Sequence, residues 1–156
     1  MKTNRILGFC SLFFVASLFF ALLSEGFERL PIVGGESIGL AKLGMTAEEI
    51  KRANEDSLCP VEAIFFGGKA VELRTSWGGG CATPEGMMAS TYSAHFLKTL
   101  YGSPEFIRAE TEEYYEGLVV DWWHYYKLGL AFRVVYTGYR DSIVQMIAVF
   151  PKSINL

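Results

Sequence analysis

Very little in this chain is equipped to do chemistry on a substrate. It carries two histidines, His95 and His124, and three cysteines, Cys10, Cys59 and Cys81, in 156 residues. No Cys-x-x-Cys occurs, which removes the usual redox pair and the usual half of a zinc site. The histidines are too far from the cysteines in sequence to complete a metal-binding motif. The patterns Gly-x-Ser-x-Gly, His-Glu-x-x-His and the phosphate-cradling Gly-x-x-x-x-Gly-Lys are missing as well. Basic residues are scarce, with 14 Lys and Arg against 17 Asp and Glu and a net charge of −3. Nucleic acid is therefore an unsuitable partner, because phosphate neutralisation needs clustered cations. A polybasic patch for anionic lipid is likewise lacking. The expectation is a protein that is not an enzyme and takes no metal or other cofactor. An enzyme with an unrecognised site at His95 or His124, or a purely structural component, are the alternatives.

What the chain has in surplus is apolar and aromatic material. Hydrophobic residues make up 51% and aromatics 15%, against 20% charged. A packed core is expected and wholesale disorder is not. One apolar run stands apart. Lys2 and Arg5 precede residues 6–23, which carry no charge, and Ser24-Glu25-Gly26 follows. A positive end, an apolar centre and a polar exit read as an export signal over residues 1–26. The run is about 18 residues, the lower edge for a membrane span, so two outcomes stay open. A cut ahead of Phe27 would release the body into the periplasm or medium. An uncut segment would anchor it to the inner membrane, with residues 6–23 as its only membrane contact. The positive end stays inside either way. Cleavage would also remove Lys2, Arg5 and Glu25, taking the net charge to about −4. Cys10 has too short an apolar lead and a bulky Phe9 beside it, which argues against a lipid anchor.

In an exported small domain, Cys59 and Cys81 are expected to form a structural disulfide. The rest of the chain divides at local signals. Residues 28–43 are Gly-bearing and extended, with Gly34-Gly35 as punctuation. Thr46 with Glu49 three residues later is a capping box and predicts a short helix that fades over 54–57. Residues 61–66 and 70–75 read as strands joined at Gly67-Gly68. Ser90, Thr91 or Ser93 can cap a second helix through Tyr101, stopped by Gly102 and Pro104. Residues 105–116 read as a loop or short helical stretch. Strands follow at 118–126, 130–136 and 143–150. The fold class is α+β, an antiparallel sheet with short helices on one face. The halves 27–82 and 83–156 share an order of lead-in, cap, helix and hairpins, which suggests two tandem repeats.

The stretch Ile38-Gly39-Leu40-Ala41-Lys42-Leu43-Gly44-Met45-Thr46-Ala47-Glu48-Glu49-Ile50 resembles the opening of small envelope proteins of the BamE/SmpA-OmlA and β-lactamase-inhibitory-protein-like type. Thr83-Pro84-Glu85-Gly86 with Tyr101-Gly102-Ser103-Pro104-Glu105 looks like the start of a second such unit. Tyr125-Tyr126-Lys127-Leu128-Gly129-Leu130-Ala131-Phe132 is similar to a strand pair of exported relatives. The match covers roughly residues 36–150 of the chain. The resemblance implies a helix-covered sheet that works by contact with another envelope protein. The chain lacks the acylated cysteine of the assembly-machine lipoproteins, and no binding residues carry over.

The run Asp121-Trp122-Trp123-His124-Tyr125-Tyr126 is the most unusual local feature. Strand alternation puts Asp121, Trp123 and Tyr125 on one face and Trp122, His124 and Tyr126 on the other. The candidate binding face is Asp121, Trp123 and Tyr125 with Arg133, since Trp and Tyr bury a large area at low entropic cost. The alternative is that both faces are packed. Opposite facing also argues against His124 and Asp121 acting as an acid–base pair. Glu110, Glu112, Glu113 and Glu116 read as a solvated acidic surface without calcium-loop spacing.

Overall fold

The computed structural model describes residues 29–55, 57–76, 80–110, 118–137 and 142–153. The export segment at 1–26 and the acidic positions Glu112, Glu113 and Glu116 lie outside them. Among the described residues, no helix is long and apolar enough to cross a membrane.

The extended lead-in forms three short strands, β1 (Leu30–Val33), β2 (Ser37–Ile38) and β3 (Ala41–Lys42). Helix α1 (Ala47–Glu55) follows, started by the expected capping box. The Glu49 amide donates to Thr46 Oγ1 at 3.3 Å and the Thr46 amide to Glu49 Oε2 at 2.7 Å. That amide and the Thr46 hydroxyl hold the Glu49 carboxyl below its ordinary pKa, outweighing the small opposing cost of desolvation. Strands β4 (Glu62–Phe66) and β5 (Lys69–Thr75) form the hairpin at Gly67-Gly68. After β6 (Cys81–Ala82) comes α2 (Ala94–Tyr101), with Ser93 accepting from the Phe96 amide and Gly102 closing the C-terminus at φ 77°. Four strands complete the described residues: β7 (Phe106–Glu110), β8 (Val119–Tyr125), β9 (Leu130–Tyr136) and β10 (Ser142–Val149).

The α+β class is therefore what the chain adopts. A six-stranded antiparallel sheet runs β4-β5-β10-β9-β8-β7, and a smaller one runs β3-β2-β1-β6. The two expected units contribute two and four strands to the same large sheet, joined where β5 pairs with β10. Residues 106–110 correct the loop-or-helix expectation. They are an edge strand whose Phe106, Arg108 and Glu110 stand opposite His124, Trp122 and Val120. Charged residues hid the alternation, but their partners on β8 supply the ladder.

One core cluster joins the two described helices, through Ile50, Ala94 and Leu97, to Leu73, Phe132, Val134, Ile147 and Val149 of the large sheet and Ile32 and Ile38 of the small one. Burial of this apolar surface is the main source of stability. The helices and the small sheet thus share one face of the large sheet.

Two local clamps hold the segment between α1 and β4 in place. Asn54 Nδ2 donates to the Val61 carbonyl at 2.7 Å, and the Val61 amide donates to Asn54 Oδ1 at 3.0 Å. Asn54→Ala leaves both backbone groups of buried Val61 without these partners and is expected to cost about 2 kcal/mol. A drop in the urea midpoint with unchanged slope would register it; an unmoved midpoint would show that water replaces the amide. Cys59 and Cys81 form the second clamp. They lie at disulfide distance, with Cα atoms 5.6 Å apart and 22 residues between them in sequence. Both are buried, and Gly80 beside Cys81 leaves no room for a Cβ against the Leu58 carbonyl.

Candidate binding surfaces

The register of the large sheet decides which side chains meet. Trp122 stands opposite Arg133, and Trp123 opposite Phe132. The four sequence candidates therefore do not form one face. Asp121, Trp123 and Tyr125 point to the helix side and Arg133 to the other. Trp123 and Tyr125 are only 4% and 2% exposed and belong to the core cluster. Tyr125 is covered by Tyr101 and Phe132 at ring separations of 5.7 Å each, and its hydroxyl donates to the Gly102 carbonyl at 3.0 Å. Burial pushes the Tyr125 hydroxyl up to about 12. It is a core tyrosine that also ties down the end of α2.

No described helix packs against the opposite face. It carries a small apolar cluster of Trp122, Ala131 and Ala148, with Met146 and Phe150 packed against it, and a polar network beside that cluster. Arg133, 6% exposed, donates from Nε to Glu110 Oε2 at 2.7 Å and bonds through Nη1 to Gln145 Oε1. The same Glu110 oxygen accepts from Trp122 Nε1 at 2.7 Å. One carboxylate at the sheet edge thus holds a guanidinium two strands away and the indole between them. This corrects the solvated reading of Glu110. Arg74 lies 5.0 Å from the Trp122 ring centroid, its Nε donating to Glu72 Oε1 at 2.6 Å. Both partners of that pair are partly exposed, so it adds little stability.

Beside this network lies a ring cluster. His124 stacks on Tyr126 at 5.3 Å and meets Phe106 at 5.8 Å and Phe150 at 6.0 Å. Phe106 is 48% exposed, and His124, Tyr126 and Phe150 are half-buried. His124 Nε2 is buried without a hydrogen-bond partner. Burial, helped by the Arg108 charge and opposed by Glu72, pushes the imidazole pKa down, which favours its neutral form near neutral pH. Asp121 is on the opposite face, so the two do not form an acid–base pair. The sequence reading passed over Phe106 and Phe150. The available signal was the Phe-x-Arg-x-Glu alternation of 106–110, which the surrounding charges obscured.

On the helix side a cleft opens between α2 and the sheet, about 230 Å³ in volume and lined by Ala94, His95, Lys98, Trp123 and Tyr136. Lys98 Nζ sits 5.2 Å from the Trp123 ring centroid. The Tyr136 hydroxyl pKa is raised by burial and by neighbouring Asp121. Among the described residues, no group of three or more His, Cys, Asp or Glu could hold a metal ion. No family model, curated protein or solved structure matches this chain.

Proposed function

We propose that this chain is a non-catalytic, exported envelope protein that acts by contact with another protein, docking through the helix-free face of its large sheet. The observation that carries this reading is the cluster of Phe106, His124, Tyr126 and Phe150 on a face that no described helix covers. Partly exposed aromatic groups held rigid by one another are suited to anchor an interface, since they have little entropy left to lose. The Arg133–Glu110–Trp122 network beside them keeps the platform in one geometry.

The export component rests on Lys2, Arg5 and the uncharged run 6–23. A buried cysteine pair at disulfide distance suits the same oxidising setting. The resemblance to BamE/SmpA-OmlA and β-lactamase-inhibitory-protein-like chains adds an envelope partner; the shared order of the halves supports 27–82 and 83–156 as tandem helix–strand units, and the uncharged run 6–23 supports an apolar N-terminal helix ahead of them. The body is periplasmic or secreted if the leader is cut, and held at the inner membrane if it is not.

Photo-crosslinking in intact envelopes tests the docking face. A photoreactive residue placed at position 106 or 126 is expected to give a discrete crosslinked species, and one at exposed position 51 on α1 is not. Tyr126→Ala should lower the yield from position 106 while leaving the melting temperature within a few degrees. Equal crosslinking from positions 51 and 106, or none from 106 and 126, would overturn the assignment.

A further inference from the structure

We propose that the cleft between α2 and the large sheet binds a small carboxylate ligand, one carboxylate carried on a single flat apolar group. The site is separate from the docking face and on the other side of the sheet. Its volume of about 230 Å³ is below the ~300–1,000 Å³ of pockets that take drug-sized ligands. That leaves room for one ring with a short arm.

The lining has an apolar floor and a cationic rim. The floor is the Trp123 indole, the Ala94 methyl and the Tyr136 ring. Lys98 stands over the indole with its Nζ 5.2 Å from the ring centroid. The described ion pairs are Arg74–Glu72 and Arg133–Glu110, and Lys98 takes part in neither. Its charge is therefore available to an incoming anion. Lys98 and the indole N–H can only donate hydrogen bonds. Trp123 is buried, and its Nε1 makes no hydrogen bond of normal geometry although the Tyr136 hydroxyl is nearby.

Asp121 is the nearby carboxylate that could oppose an anion. It is not part of the lining, and it faces the Tyr136 hydroxyl. A flat ring can lie against the Ala94 methyl and the Tyr136 ring, beside the little of the indole that is open, as the flexible Lys98 ammonium swings off the indole to the carboxylate at the mouth. Two sources offer this chemistry, a free aromatic acid and a peptide chain ending in an aromatic residue.

The test uses the nitrogen-15-labelled full chain in a non-ionic detergent. The Trp123 indole N–H resonance is assigned by its proximity to the Tyr136 ring. It is expected to shift saturably with phenylacetate and not with phenylacetamide. Lys98→Met should weaken the response roughly tenfold or more, the scale of losing a hydrogen bond to a charged group, with the rest of the spectrum unchanged. N-acetyl-glycyl-phenylalanine is compared with its C-terminal amide in the same way. Saturation by phenylacetate alone assigns a free acid, and tighter saturation by the peptide acid assigns a chain end. An indole resonance unmoved by both acids, moved equally by the neutral amides, or moved equally in Lys98→Met sinks the proposal.

Discussion

Removing the Cys59–Cys81 crosslink by a double substitution to alanine is expected to destabilise the fold by about 3 kcal/mol, the chain-entropy value for a loop of this length. In a domain of this size that corresponds to a fall in melting temperature of about 10 °C. The bond joins the segment ahead of β4 to β6, and β6 pairs in parallel with β1 through Leu30 and Cys81. It therefore ties the small sheet to the start of the large sheet's edge hairpin. Two short strands and a two-residue ladder hold that region weakly by themselves. Either single substitution should cost nearly as much as the double, because one missing partner already abolishes the crosslink. Urea denaturation of the three variants and of the reduced wild-type chain makes the comparison. Matching midpoints for oxidised and reduced protein would mean that burial of the two sulfurs, not their bond, supplies the stability.

Glu110→Ala is expected to have an effect of similar size for a different reason. The substitution leaves Arg133, 6% exposed, without the carboxylate that accepts from its Nε, and Trp122 Nε1 without its acceptor. Breaking a buried pair from one side costs roughly 3–5 kcal/mol. The Glu110 side chain is 26% exposed, so solvent compensates in part and the expected loss is near the lower figure, about 3 kcal/mol. Glu110→Gln keeps an acceptor without the charge and should lose about 1–2 kcal/mol. The double variant Glu110→Gln with Arg133→Met should recover part of the Glu110→Ala loss, because the buried guanidinium is then removed together with the carboxylate that faced it. Equilibrium urea unfolding measures all three. A Glu110→Ala chain within about 0.5 kcal/mol of wild type, the usual range for a surface change, would show that the network is decorative.

These two sites differ in how legible they were. Cys59 and Cys81 could be paired from composition and expected compartment, because only two cysteines lie outside the apolar leader. Glu110 could not be placed. In sequence it opens an acidic run, and an acidic run reads as a solvated face. Its role depends on β7 pairing with β8 and β8 with β9, which brings Glu110, Trp122 and Arg133 onto one surface. Such a contact spans 23 residues of chain and two ladders, and no local signal records it. Trp123 and Tyr125 show the same limit from the other side. Alternation separated them correctly from Trp122, His124 and Tyr126, yet it could not say which set the helices would cover.

The sequence alone determined the local elements. Thr46 with Glu49 starts α1, Gly102 ends α2, Gly67-Gly68 turns the first hairpin, and the period-2 runs at 118–126, 130–136 and 143–150 are strands to within a residue or two at most ends. These are short-range effects, set by backbone conformation, nearby hydrogen bonds and side-chain direction. Tertiary structure decided strand order, the edge position of β7, the burial of Trp123 and Tyr125, and the gathering of Phe106, His124, Tyr126 and Phe150. Each of these depends on which distant segment packs against which face. Period-2 alternation sorts side chains into two sets but is symmetric between them, so only packing against α1, α2 and the small sheet selects the one that becomes core.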